Sequence, residues 1–549
     1  MWVTLTIGGP NVGRTPVSRF DYIVVGAGSA GCVLAHQLSA DPGVTVLLVE
    51  AGDADDNPLI AMPRGYGELL GDPSFVWHHP TLPFGPDQQV EYWVRGKTLG
   101  GSSSVNGMVY NRGSSSDYDA LVRLGNEGWG WAEMLPAFTA IEGHQLDPSP
   151  TRGTRGPLHL SAAVDGEPLL EHVLAAGTKL GWQRVSDLND VDGQRIGYTM
   201  ATIGAGRRCS AADAFLHPIA DRPNLTVALR TTVGRVILDG RRAVGIEGRR
   251  DGQAVEYSAM QEVILSAGAL ATPTILQRSG IGDSETLRSA GVKPVVNSPN
   301  VGARMREHRV FTLQYRLTQD AGYNRVLASQ EGQQQAMVEY QTTGTGPMAA
   351  PSFDITAFFT SRPGLDRPDT QLQIAPFSIL PPQPGEGMQI EQEPGMICIA
   401  YPLRPTSEGC VQITSADPDT PADIDPRYLT TAEDRATSVN MVRSVRTMLS
   451  TAPLASWIDR ETVPGEQVQT DEAIIDAGLR TGGAGYHAIG TAAMGPRDED
   501  VVDSRLRVRG VNGLRVVDAS VLPIMVSGNL NGPVMALAWR AAHYLQAGA

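Results

Sequence analysis

The chain has 549 residues, 41% of them hydrophobic and 19% charged, with a formal net charge of −15. That length exceeds what one ordinary core organises, so two domains are expected. The acidic balance speaks against nucleic acid and anionic membrane surfaces as partners.

Residues 1–17 have neither a basic stretch nor a long apolar one, so they read as a loose extension rather than a signal peptide. No run of 18 apolar residues occurs, so no membrane span is expected and the location is read as cytoplasmic. Cys32, Cys209, Cys398 and Cys410 stand apart without a CxxC pair. That fits a reducing compartment and gives no zinc site. His78 and His79 are adjacent but have no further ligand at metal-binding spacing, so no metal is expected.

At 20–31 the chain reads FDYIVVGAGSAG, a β-branched strand ending in Gly26, Gly28, Ser29, Ala30 and Gly31 and followed by helical apolar spacing at Val33, Leu34 and Leu38. A second strand, VTVLLVEAG, ends at Glu50 and Ala51. Strand, glycine turn, helix, strand and acidic residue make a dinucleotide site. The glycines let the backbone approach a pyrophosphate at the helix N-terminus, and Glu50 accepts from a ribose hydroxyl. This motif alone does not distinguish FAD from NAD. At 97–113, KTLGGSSSVNGMVYNRG crowds small residues together, either as a flexible turn or as a backbone lying flat against something large. Further on, SQEGQQQAMVEYQTTGTG (329–346) reads as a boundary or lid segment, or equally as a polar helix and a loop. FDITAFF (353–359) alternates like any half-buried strand.

RGKTLGGSSSVNGMVYNRG (95–113) and a further stretch, GALATPTILQRSGIG (268–282), which follows the apolar EVILSAG, resemble the two signatures of the glucose–methanol–choline (GMC) oxidoreductase family. FVWHHPT (75–81), RRCSAADAFL (207–216), GYHAIGTAAMG (485–495) and GVNGLRVVDASVLPIMVSGNLNGPVMALA (510–538) extend the likeness in order along the chain. The resemblance implies an α/β fold: a discontinuous Rossmann-like FAD-binding domain (18–165, 222–312, 480–549). It also implies an α+β substrate domain on an antiparallel sheet (166–221, 313–479). It places Trp77 on the adenine side and Gly100 and Ser102 along the pyrophosphate and ribityl chain. Asn106, Gly107, Met108 and Val109 would lie against the flavin. Val233, Ala267 and Gly268 fall near the adenosine, Asp518 and Ala519 near the ribityl–pyrophosphate, and Asn529 and Pro533 at the pyrimidine end. Some relatives attach the flavin through a histidine where this chain has Val105, so FAD is expected to be noncovalent.

Oxidation of an alcohol needs a base for the hydroxyl proton, and histidine suits that task. The resemblance makes His487 the general base and Asn531 its partner, donating to the developing alkoxide. Glu307 and His308, in RMREHRV, read as structural or flavin-side. The expected activity is oxidation of a neutral primary alcohol to an aldehyde, with hydride passing to FAD and electrons to O2 or another acceptor. The alternatives are a choline-type dehydrogenase and an FAD-containing hydroxynitrile lyase. A light-driven fatty-acid decarboxylase is disfavoured because Leu403 stands where that group has cysteine.

Overall fold

The computed structural model describes residues 18–162, 166–380 and 389–547. The expected N-terminal extension, 1–17, lies outside them. The strand Ser18–Val25 buries its last four residues and leads through the glycine turn into the helix Ser29–Leu38. It then pairs in parallel with Val46–Val49, Tyr22 opposite Val46 and Val25 opposite Val49. A Cβ on Gly31 would sit 1.8 Å from the Gly26 carbonyl oxygen, so only glycine lets helix and strand approach this closely.

These strands belong to a seven-stranded sheet in the order Leu225–Ala228, Val46–Val49, Ser18–Val25, Gln253–Leu265, Arg242–Arg250, Thr231–Asp239, with Leu514–Val516 beside Gln253–Leu265. The central pairings are parallel, and Arg242–Arg250 and Thr231–Asp239 add an antiparallel edge. The helix Ser29–Leu38 packs against the C-terminal helix Asn531–Gln546, and their apolar faces share one core with the sheet. Cys209, Ala212, Phe215 and Ile219 are buried in this same core.

A second sheet of eight strands is antiparallel except at one edge. Its order is Ile458–Val463, Arg309–Leu317, Gly395–Pro402, Thr370–Ala375, Ile355–Phe359, Arg195–Tyr198, Gln183–Arg184, with Gly483–Ala484 also beside Arg309–Leu317. Alternation divides its faces. Leu372, Ile374, Cys398 and Ala400 pack with Leu170 and Val173 of the helix Pro168–Lys179 and with Val442 and Val445 of Ala432–Leu449. The opposite face carries Gln371, Gln373, Ile399 and Tyr401, with Gln371 opposite Tyr401 and Gln373 opposite Ile399. That polar face meets the first domain.

Candidate active site

The carboxyl ends of the parallel strands gather two helix N-termini. Neither helix has a side-chain cap or an acidic residue in its first turn: one begins at Ser29 after Gly28, the other at Asn531 after Leu530. Their first residues touch, since Ser29 Oγ donates to Asn531 Oδ1 at 2.7 Å. The amide nitrogen of Asn531 is buried without a partner. Gly101 presses its backbone against Gly28, where a Cβ would lie 2.7 Å from the Gly28 Cα. Uncapped N–H groups, an orphaned amide and a side-chain-free backbone therefore converge, and all of them lack acceptors. Beside them Glu50 accepts from Ala27 N and Gly52 N, both at 2.9 Å, and burial pushes its carboxyl up to about 7.

A chain of side chains faces this cradle. The segments 306–310 and 483–489 run antiparallel: Gly485 N donates to His308 O (2.8 Å) and Ile489 N to Arg306 O (3.0 Å). A Cβ on Gly485 would lie 2.8 Å from His308 Cβ and 3.0 Å from His487 Nδ1, so this glycine lets the two imidazoles meet. Their Nδ1 atoms are 2.9 Å apart, and His308 Nε2 is 2.9 Å from the Leu403 carbonyl. A carbonyl only accepts, so the proton of neutral His308 is assigned to Nε2 and its Nδ1 accepts from His487 Nδ1–H. The lone pair of His487 is thereby left on Nε2. There it meets Asn529 Nδ2 at 3.1 Å. Asn529 is oriented by Gln371 Nε2 (3.1 Å), Tyr401 Oη (3.4 Å) and Gln373 Nε2 (3.5 Å), which all donate to its Oδ1.

Burial holds His487 well below the ordinary histidine range, with neighbouring His308 and the Arg95 guanidinium disfavouring a charge there further, and burial pushes His308 down to about 4. Both rings are therefore neutral near pH 7. Glu307 accepts from the backbone N–H groups of His487 (2.6 Å) and His308 (2.9 Å) and lies 3.5 Å from the Arg95 guanidinium. Its buried carboxyl is pushed up to about 7. The arrangement is a fixed-tautomer base with one amide donor beside it.

The sequence patterns of GMC oxidoreductases match residues 20–310 and 405–538, more than half of the chain. The chain belongs to the GMC oxidoreductase family. It is 37% identical to the mitochondrial choline dehydrogenase of Mus musculus over 541 residues, covering 96% of this chain and 89% of that one. It is 36% identical to the alcohol dehydrogenase [acceptor] of Pseudomonas putida, covering 96% and 95%. Among solved structures it is similar to pyridoxine 4-oxidase from Mesorbium loti, with TM-score 0.85 and 30% identity over 96% of this chain and 99% of that one. This GMC oxidoreductase is an FAD-dependent enzyme that oxidises alcohols. No helix among the described residues is long and apolar enough to cross a membrane.

The cradle fits FAD by its donor chemistry. Uncapped N–H groups suit the pyrophosphate, Glu50 suits a ribose hydroxyl, and the orphaned Asn531 amide suits a ring carbonyl. Gly26, Gly28, Ser29, Ala30, Gly31, Gly100, Asn529, Asn531 and Pro533 are brought to this one region by the two helix starts and the 100–104 turn. Ala51 follows Glu50 at the strand end, and Ser102 Oγ accepts from Gly96 N. Asn106 folds its Oδ1 onto Met108 N (2.9 Å) and the buried Arg208 (3.0 Å). Met108 has φ +64 and is fully buried with Ala201 and Ile203, so only its backbone can face a ligand. Gly107 O accepts from Ser352 Oγ, and Val109 is buried. Trp77 lies under the Lys97 ammonium, 4.5 Å from its ring centre, and Val233 is buried in its strand. Ala267 precedes the helix Gly268–Arg278. The Asp518 carboxylate is filled by Gly268 N, Thr272 Oγ1, Ser520 N and Ser520 Oγ, so its side chain organises Ala519 and Gly268 instead of reaching outward.

One expectation changes. Asn529, not Asn531, meets His487, because Asn531 opens the C-terminal helix and turns toward Ser29. His308, read as structural or flavin-side, bonds directly to His487. Gln371, Gln373 and Tyr401 were not identified from the sequence. The period-two spacing of TQLQIA was the available signal for the glutamines. Asp55, Asp213 and His217 also come together, but both ring nitrogens of His217 face carboxylates (3.1 and 3.4 Å), as an ion-paired imidazolium does. Bonds to Asp213 and Asp55 push it up to about 10.

Proposed function

We propose that His487 Nε2 takes the hydroxyl proton of a primary alcohol while Asn529 Nδ2 steadies the alkoxide oxygen. The observation that carries this is the hydrogen-bond chain from Leu403 through His308 to His487, which leaves a neutral, low-pKa imidazole with its lone pair on Nε2. FAD supplies the hydride acceptor at flavin N5. Gly28, Ser29 and Gly101 would hold its pyrophosphate side, and Asn531 with the start of the last helix its ring side. Val105 offers no nucleophile, which supports noncovalent FAD. His308 and Glu307 fix the base, and Gln371, Gln373 and Tyr401 fix the amide. After the hydride leaves, the proton rests on His487, next to the Glu307 that receives its backbone N–H.

The final acceptor is O2 or another oxidant. The four cysteines are unpaired, which supports a reducing compartment. The test is anaerobic mixing of the yellow enzyme with benzylic, furfuryl, aliphatic, choline and sugar alcohols, followed by air. Bleaching with rapid return of colour identifies an oxidase, and bleaching with slow return a dehydrogenase. If no alcohol bleaches the flavin, the reading fails.

A further inference from the structure

The sheet face that brings Gln371 and Gln373 to Asn529 continues as an apolar wall. Ala375 pairs with Ile397, Phe377 follows, and Ile399 packs against both Tyr401 on one side and the Phe377 cluster on the other. The strand ends at Ala375, and Phe377 follows it just beyond Pro376. At that far end stands Arg64, its side chain only 6% exposed. Its guanidinium lies 4.7 Å from the Tyr323 ring centre and 5.1 Å from that of Phe377. Nε donates to Pro351 O (3.3 Å) and Nη2 to Asp354 (2.9 Å), but Nη1 is buried without a partner. The Tyr323 hydroxyl is likewise buried and unpartnered. Two orphaned donors in one aromatic corner are costly unless an acceptor comes to them.

We propose that Arg64 Nη1 and Tyr323 Oη form a distal subsite for an oxygen acceptor, a carboxylate or carbonyl, at the far end of the alcohol oxidised at His487. This rests on the reading of His487 and Asn529 as the reacting end. The same corner is unsuited to a quaternary ammonium group. Such a group binds to vacant aromatic faces, and here the faces of Tyr323 and Phe377 are taken by the chain's own cation. Asp354 is paired with that cation, so it offers no free charge to a second one. The preferred substrate is thus an ω-hydroxy acid or a hydroxy-carbonyl compound with an apolar middle.

The experiment uses the FAD-loaded enzyme and two readouts. In the first, heptanoate and hexyltrimethylammonium are titrated while the visible flavin spectrum reports binding. Heptanoate is expected to bind at least about 10-fold more tightly. In the second, anaerobic flavin reduction is compared for ω-hydroxyhexanoate, its methyl ester and hexanol. Both oxygen-bearing alcohols are expected to exceed hexanol about 10-fold in apparent second-order rate. A lead of the acid over its ester assigns the carboxylate as the ligand, and equality assigns the carbonyl. Tyr323→Phe, which removes only the hydroxyl, should shrink both preferences about 5-fold or more. Arg64→Met, which could disturb folding by stranding Asp354, is the second variant. Equal or reversed wild-type preferences overturn the subsite, as does a Tyr323→Phe enzyme with wild-type preferences. If no primary alcohol reduces the flavin, the oxidation reading fails, and the titration still decides the subsite.

Discussion

Asn529→Asp exchanges one NH2 for one oxygen in the contact that defines the proposed reacting pair. In the native protein Asn529 Nδ2 donates to His487 Nε2 at 3.1 Å. A carboxylate there only accepts, so Nε2 must carry a proton. The proton cannot simply move over from Nδ1. His308 Nδ1, 2.9 Å away, is itself an acceptor because His308 Nε2–H is committed to Leu403 O. His487 is therefore pushed toward the imidazolium, which has no lone pair for a third proton. A new negative charge in contact raises a histidine pKa by about 1–3 units, at about 1.4 kcal/mol per unit. The native ring sits well below the ordinary range and is neutral throughout working pH. Native flavin reduction should thus be flat from about pH 6 to 9, while the variant falls at least about 10²-fold, or about 2.7 kcal/mol, chiefly because a carboxylate replaces the donor to the alkoxide, with a further pH-dependent loss where the raised imidazole ionises. That further loss should recover as pH rises and the imidazolium deprotonates. Anaerobic stopped-flow reduction by a saturating primary alcohol measures both. Asn531→Ala, which removes an amide bonded to Ser29, should weaken FAD binding more than it slows reduction. An Asn529→Asp enzyme that reduces within about threefold of native with a flat profile, beside a dead Asn531→Ala, would refute the assignment.

Other variants report on the support around this pair. His308→Phe leaves the His487 Nδ1–H without an acceptor, and flavin reduction should slow about 10-fold with its pH profile no longer flat; an unchanged profile removes His308 from the chain. Glu50→Gln sets an NH2 against one of two backbone donors, so FAD affinity should drop about 10- to 100-fold by equilibrium dialysis. The native carboxyl, raised to about 7, ionises as pH rises through that value, so native FAD retention should improve from about pH 6 to 8 and the variant should lack this slope. Glu142 binds Arg112 through two 2.6 Å bonds and also takes the Tyr110 hydroxyl, all fully buried. Glu142→Gln strands that guanidinium and should lower stability by about 3 kcal/mol, seen as a lower guanidinium midpoint and earlier flavin release.

Much of the cradle was legible along the chain because it is built locally. Gly26, Gly28, Gly31 and Glu50 occur within one strand–helix–strand unit, where Gly26 and Gly31 meet steric demands that only glycine satisfies. The Gly–Ser turn at 100–104 lies flat for a reason visible in its composition, and the structure supplies the surface it lies on, the Gly28 backbone. His487 was found through its resemblance to a family segment, not from spacing. The choice between Asn529 and Asn531 was not legible. The two residues stand either side of a helix start, where one position turns the side chain toward Gln371 and His487 and the other toward Ser29. Nor was His308, which is 179 residues from His487 and reaches it only because the strand after it pairs with Gly483–Ala484.

The sequence by itself determined the dinucleotide cradle, through short-range backbone sterics, and the family, through motifs in chain order, and the family resemblance singled out His487 as the candidate base. Only the tertiary structure decided which asparagine meets that base, which nitrogen holds its lone pair and which cation fills the distal aromatic corner. Those three are properties of hydrogen bonds and ring contacts between residues tens to hundreds of positions apart, and such contacts exist only once both sheets have packed.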